Sequence, residues 1–251
     1  MEKISIVVPI FNAADYLEET VLMVFRQTYQ NWELILVDDC STDETREVLR
    51  FIQEENRDER LKVIYKEKNE GAAKARNTGI DAATGRYLAF LDADDIWKED
   101  KLEKELAFLQ EKEAAFVFTA YEFGDEEANG TGKIVKVPST LTYREALSRT
   151  VIFTTTVLID MQKIDRNLCH MPDVPSEDSA TWWQILRAGY TAYGLNEVTA
   201  IYRRPSKSLS SNKGKAIKRI WYLYRKVEKL SRIESIRYFT GWAVRATLRR
   251  L

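Results

Sequence analysis

An α/β fold with a mostly parallel, Rossmann-like sheet flanked by helices is what this chain predicts, and three features predict it. Strand-like and helix-like segments alternate from Lys3 to about residue 110. The strand-like segments are short unbroken runs of apolar and β-branched residues, the pattern of strands covered on both faces. One of them, Tyr87-Leu88-Ala89-Phe90-Leu91, ends abruptly in Asp92, Asp94 and Asp95. Ligands of an open parallel sheet collect beyond the carboxyl ends of its strands, so these acids would stand in that crevice. Adjacent carboxylates repel one another, and a divalent cation that also holds a diphosphate relieves the repulsion. A helix N-cap favours Asp as well, but it needs only one.

The elements follow in order. Lys3 to Ile10 has the β-branched density of a buried parallel strand, with Pro9 where the ladder should stop. Leu17, Val21, Val24 and Phe25 recur at helical spacing and predict a helix over about 14–28. Trp32 to Val37 is a second buried strand running into Asp38-Asp39. Ser41-Thr42-Asp43-Glu44 then reads as a capping box for a helix through Val48 and Ile52. Leu61 to Tyr65 is a shorter strand, and Asn69-Glu70-Gly71 opens an Ala-rich helix carrying Lys74 and Arg76, which Gly85 should close. After the Tyr87 strand, Leu102, Leu106 and Leu109 mark one face of a further helix.

The second half is less regular. Ala114 to Phe123 and Lys133 to Val137 read as strands joined by an exposed, glycine-bearing loop, and Thr154 to Asp160 as another strand. Glu177 to Ala188 is a helix that begins with acid and carries Trp182-Trp183. Val198 to Arg203 is a last strand before a Ser/Lys-rich loop. This divides the chain into a body over 1–212, with a nucleotide-binding half (1–110) and an acceptor half (111–212), and a tail over 213–251.

Composition excludes several classes. The 251 residues are 45% hydrophobic and 31% charged, as a globular chain should be. No apolar run is long enough to span a bilayer and no leader pattern precedes the first strand, so a cytoplasmic protein is expected. Cys40 and Cys169 are the only cysteines, far apart and without metal-ligand partners nearby, so neither a disulfide framework nor a zinc site is supported. Neither a G-x-G-x-x-G after the first strand nor a G-x-x-x-x-G-K-[ST] occurs, which argues against dinucleotide-binding and P-loop chemistry. A sugar nucleotidyltransferase would want a glycine-rich, Lys-bearing loop at that first strand, and Ile10-Phe11-Asn12-Ala13 is not one. The net charge of -1 conceals an asymmetry: residues 213–251 carry twelve Lys/Arg against Glu228 and Glu234, which leaves the body acidic. That acidic body argues against a nucleic-acid partner.

Taken together, Ser5-Ile6-Val7-Val8-Pro9-Ile10-Phe11-Asn12, Val37-Asp38-Asp39-Cys40-Ser41-Thr42-Asp43, Gly71-Ala72-Ala73-Lys74-Ala75-Arg76-Asn77-Thr78-Gly79, Leu91-Asp92-Ala93-Asp94-Asp95 and Ser176-Glu177-Asp178 resemble the family 2 glycosyltransferases of GT-A fold, in the family's order. The resemblance covers roughly the first 200 residues. Cys40 departs from it, since the family usually has Gly there. What it implies is an inverting transfer of sugar from a UDP-sugar to a saccharide or lipid-linked saccharide hydroxyl, with Mn²⁺ or Mg²⁺, in bacterial-type surface polysaccharide or glycolipid synthesis. Asp39 would accept from the uracil N3–H, and Pro9, Phe11 and Asn12 would shape the base pocket. Asp92 and Ala93 would lie near the ribose, Asp94 on the metal, and Asp95 would be the alternative ligand. Lys74 and Arg76 would face the diphosphate, and Arg203 and Lys207 would belong to a loop folding over it. Asp178 would be the catalytic base, with Glu177, Trp182 and His170 toward the acceptor. A non-catalytic nucleotide-sugar-binding scaffold is the rival, and a scaffold has no need of Asp39, Asp92, Asp94 and Asp178 together.

In the tail, apolar residues from Ile217 to Leu248 interleave with the basic ones and predict amphipathic helices broken near Gly241. One expectation is a helix lying on an anionic membrane surface. The other is that its apolar positions pack on the body or on a second copy of the chain.

Overall fold

The structure, a computed structural model, describes residues 2–203 and 213–248. The first half alternates as expected: β1 (Ile4–Ile10), α1 (Ala14–Phe25), β2 (Trp32–Asp38), α2 (Thr45–Asn56), β3 (Leu61–Tyr65), α3 (Ala72–Ala82) and β4 (Tyr87–Phe90). These strands lie in the order β3-β2-β1-β4 with every neighbour parallel. The chain steps outward from β1 through β2 to β3, then returns to the other side of β1 to lay down β4. That reversal makes a topological switch point beside β1, with the ends of β1, β2 and β4 around one crevice.

The second half runs β5 (Ile96–Trp97), α4 (Lys101–Glu111), β6 (Phe116–Gly124), β7 (Gly130–Val135), β8 (Thr140–Leu141), α5 (Tyr143–Ala146), a 3₁₀ turn, β9 (Val157–Asp160), α6 (Arg166–Cys169), α7 (Glu177–Arg187) and β10 (Ala192–Arg203). Here pairing turns mixed. β9 lies antiparallel between β4 and β6, while β10 runs parallel to β6. The sheet is continuous, so the two halves of the chain share one set of strands.

Each face of the sheet carries its own core. On one side Leu17, Val21 and Val24 of α1 and Leu102, Leu106 and Leu109 of α4 are buried; on the other, Ala75 and Ile80 of α3 and Trp182, Trp183 and Ile185 of α7. The tail joins the second core. It comprises α8 (Lys213–Tyr222), a π-helical turn at Leu223–Val227, and α9 (Arg232–Leu248). Tyr224 stacks on Trp183 with ring centroids 5.6 Å apart and planes 2° from parallel, and its hydroxyl donates to the Leu147 carbonyl. Glu228 accepts from Tyr143 Oη at 2.5 Å and from Arg187 Nη1 at 2.7 Å. The inner apolar face of the tail therefore packs on the body.

Three local expectations are corrected. The tail is broken at Lys229, which is left-handed at φ 53°, where Ser231 and Glu234 exchange capping hydrogen bonds that start α9. Gly241 lies inside α9, where a Cβ would stand 3.0 Å from Ser148 Cβ, so close packing accounts for it. Gly85 does not close α3 in a left-handed turn: a Cβ there would meet the Lys3 carbonyl oxygen at 2.6 Å, and its N–H donates to Ser5 Oγ and Glu33 Oε1. The capping box over 41–44 does not form either, because α2 starts at Thr45 and Ser41 and Thr42 are engaged by Asn12 instead.

Candidate active site

At the switch point lies a cavity of about 570 Å³. Pro9, Phe11, Asn12, Asp39, Arg76, Asp92, Ala93 and Asp94, eight of the residues singled out in the sequence, line it. Hydrogen bonds sew the strand ends together beneath it. Asn12 N–H donates to Ser41 Oγ, Thr42 N–H to Asn12 Oδ1, and Ala13 N–H to Thr45 Oγ1, each at 2.9 Å. Asn12 at φ 51° and Cys40 at φ 61° both sit in the left-handed region, strained backbone of the kind that persists where the surroundings over-determine it. The left-handed backbone at Cys40 is a conformation that favours glycine.

Asp39 is buried and held by Lys66 Nζ at 2.5 Å, by Gly71 N–H at 2.6 Å and by Glu70 N–H at 3.1 Å. It thus organises the entry to α3 while facing the cavity. The Glu70 N–H is shared between the two oxygens, so three donors are spread over the carboxylate's lone-pair sites, about four in all. Phe11 is 49% exposed at the rim, as an aromatic offered to a planar base would be.

Arg76 is buried and reaches two ways. Its Nη2 meets Asp92 Oδ1 at 2.6 Å, and its Nη1 meets Glu177 Oε1 at 3.0 Å. Burial opposes its charge, yet Asp92 together with Glu177 and Asp178 raises its pKa. Asp94 faces the cavity with its own pKa raised, by burial and by the charge of Asp92. An acid in that state suits a cation. Among the described residues no group of three or more acids, His or Cys is arranged to hold a metal, so Asp92 and Asp94 would need ligand oxygens to complete a shell.

Asp95 does not face the cavity. It lies beneath, accepting from Thr155 Oγ1 at 2.6 Å and from the Arg203 N–H at 3.3 Å, and burial raises its pKa well above the carboxylate range. Arg203 likewise points inward: it ends β10, donates to the Asp94 carbonyl at 2.8 Å, pairs with Glu19 at 2.8 Å, and covers the Tyr16 ring. It fixes the Asp94 loop from behind. Lys74 is exposed on α3 outside the cavity, and Lys207 lies outside the described residues.

Asp178 is half-buried at the start of α7, one residue after the Glu177 that Arg76 holds, and Ser176 before them is left-handed at φ 60°. Burial, reinforced by Glu177, lifts the Asp178 pKa to about 6. His170 contacts Asp81 at 2.8 Å, in the last turn of α3 and outside the cavity lining. Trp182 is corrected as an acceptor contact: it is 2% exposed between Phe90 and Phe116, so no saccharide can reach it.

Sequence reasoning missed Tyr16 and Asn69, which also line the cavity, and the role of Asn77. The Asn77 amide donates to the Met171 carbonyl at 2.8 Å and accepts from Met171 N–H at 2.7 Å. That two-point clamp ties the segment before α7 to α3. Its only signal was its place beside Arg76 in the α3 motif.

Residues 5–165 match the sequence profile described as Glycosyl transferase family 2. The chain is a family 2 glycosyltransferase. A Bacillus subtilis (strain 168) glycosyltransferase named for teichuronic acid biosynthesis is 45% identical to this enzyme over 249 residues, covering 99% of this chain and 97% of its own. A UDP-Glc:alpha-D-GlcNAc-diphosphoundecaprenol beta-1,3-glucosyltransferase of Escherichia coli is 37% identical over 220 residues, 87% of this chain and 83% of its own. The glycosyltransferase also shares its fold with a Pyrobaculum calidifontis mannosyltransferase in complex with GDP-Man and Mn²⁺, at TM-score 0.73 and 21% identity over 96% of this chain and 68% of that one. Residues 1–349 of S. aureus TarS, in complex with UDP-GlcNAc, align at TM-score 0.70 and 19% identity over 96% of this chain and 71% of that one. The fold is thus GT-A, and catalysis is favoured over a scaffold role.

Proposed function

We propose that this glycosyltransferase moves a sugar from a UDP-sugar to a hydroxyl of a lipid-linked saccharide, with inversion at the anomeric carbon, in surface polysaccharide synthesis. The observation that carries the reading is the Arg76 bridge, which sets Asp178 beside a cavity lined by Asp39, Asp92 and Asp94. The names of the similar proteins, which include UDP-Glc and a diphosphoundecaprenol acceptor, support it.

In this reading Asp39 accepts from uracil N3–H, a donor that cytosine lacks, while Phe11 packs on the base. Mn²⁺ or Mg²⁺ bound at Asp92 and Asp94 would neutralise diphosphate charge as the sugar leaves. Arg76 faces the same diphosphate and keeps Glu177, and so the start of α7, close to the donor. Asp178 takes the proton of the acceptor hydroxyl as that oxygen attacks the face opposite the leaving nucleotide. A carboxyl titrating near 6 is mostly ionised at pH 7 and still basic enough to accept that proton. The enzyme works at the cytoplasmic side of the membrane that carries its acceptor, and its basic tail supplies peripheral attachment. Among the described residues no helix is long and apolar enough to cross that membrane.

The test is a panel of UDP-sugars with Mn²⁺ and a diphosphoprenol-linked saccharide, read by released UDP. One UDP-sugar should be consumed, excess chelator should stop the reaction, and UDP should compete better than CDP or GDP. Equal competition by CDP would remove Asp39 from base recognition, and undiminished turnover in chelator would remove the metal.

A further inference from the structure

The tail has two faces, and only one is used by the body. Ile220, Leu223 and Tyr224 turn inward and are buried. On the opposite side Lys218, Trp221, Tyr222 and Arg225 recur at intervals of three and four residues. Together with Lys226 and with Arg232 at the start of α9, they line a groove of about 600 Å³. Four of these six side chains are cationic and none is acidic. The acids of the described tail are committed elsewhere: Glu228 to Tyr143 and Arg187, and Glu234 to the α9 cap. Trp221 and Tyr222 stand 38% and 40% exposed in the groove, and Ile217 and Ile233 flank it at 46% and 81%. Of the eleven exposed large hydrophobic residues among the described residues, six lie in this short tail, so the pattern is concentrated there.

We propose that this groove is a phosphate-headgroup site by which the enzyme seats on an anionic bilayer. The proposal rests on the lipid-linked acceptor read above and names the surface that presents it. The cations match the phosphates of the headgroup layer, amphipathic Trp and Tyr rings suit the interface, and Ile217 and Ile233 enter the acyl boundary beside them. Cations spread evenly around a helix would give only diffuse attraction. Here they converge on one cleft that faces away from the body, so membrane contact fixes an orientation as well as a distance.

The test uses the full chain and vesicles of phosphatidylglycerol or phosphatidylcholine in a co-sedimentation assay. The wild type should pellet with phosphatidylglycerol and stay in solution with phosphatidylcholine. Each Lys or Arg at an anionic surface contributes about fivefold in affinity, so Lys226→Glu with Arg232→Glu should cost at least about 25-fold. Lys229→Glu with Arg237→Glu changes the charge equally outside the groove and should cost several-fold less. All these side chains are exposed, and melting curves show whether each variant folds. Equal losses in the two double variants would reduce the groove to diffuse charge. Saturable binding of inorganic phosphate, with vesicle binding untouched by Lys226→Glu and Arg232→Glu, would make it a free-anion site. A wild type that stays in the supernatant at low salt would end the proposal. Seating is read without turnover, so its failure is distinct from failure of the transfer reaction.

Discussion

The donor side and the acceptor side of this site are built by different means. On the donor side each group leaves the end of a parallel strand: Phe11 and Asn12 follow β1, Asp39 follows β2, and Asp92 and Asp94 follow β4. The sheet itself aims them. On the acceptor side Asp178 begins a helix whose placement is settled sideways, by Arg76 on Glu177 and Asn77 on Met171. On the proposed reading, donor chemistry is set by strand geometry, and the position of Asp178 by two side chains of α3. Substitutions should separate the two.

The largest effect should come from the donor side. Asp94→Ala removes the acid whose raised pKa marks it for a cation, and turnover should fall by about 10³-fold or more, with donor affinity no longer responding to Mn²⁺. Activity persisting undiminished in that variant would mean the strand ends do not organise a metal.

Asp178→Asn should cost about 10²-fold in rate while UDP affinity stays near wild type. In the wild type kcat/KM should rise with pH through about 6 as Asp178 ionises, and that limb should vanish in the variant. Stability should move the other way. A carboxyl whose folded pKa is raised holds its proton more tightly when folded, so it stabilises below its unfolded value near 4 and that stability is lost as pH rises through 6. At pH 8 Asp178→Asn should raise Tm, the gain in stability being at most about 3 kcal/mol for a shift of about two pKa units. A lower Tm at pH 8 would show that the acid supports the fold.

Asn77→Asp tests the sideways fastening. It loses the donor to the Met171 carbonyl and sets a charge against it, so the acceptor KM should rise about tenfold with donor KM unchanged. Donor and acceptor constants rising together would merge the two sides into one. The smallest effect should be at Cys40, where Gly in place of a left-handed Cys stabilises by about 1 kcal/mol or less, read by denaturant melts, with kinetics unchanged.

The same contrast explains what was legible in the sequence. A strand that ends in acid declares its burial and points to a crevice, so Asp92 and Asp94 could be named from residue order, whereas Asp39 was set apart from Asp38 by the family resemblance. Asp95, adjacent in sequence, could not be separated from Asp94, because its contact with Thr155 spans sixty residues. Trp182 and Trp183 are neighbours of opposite fate. One fills the core between Phe90 and Phe116, the other stacks on Tyr224, and helical spacing alone does not say which elements lie on either side. The Ser231–Glu234 cap follows the S-x-x-E pattern, while Gly241, an ordinary helix breaker, lies inside α9.

Because Trp183 leans flat on Tyr224 and Arg187 meets Glu228, the basic extension is not a removable module. Cutting the chain after β10 would strip the cover from the outer face of α7 and leave a large aromatic surface in water, so a shortened enzyme would tend to self-associate. Grafting the extension of one relative onto another would face the same obstacle, since a tail fits only a helix shaped to receive it. On the proposed reading, the basic extension and the helix that begins at Asp178 must therefore change together as such enzymes diverge.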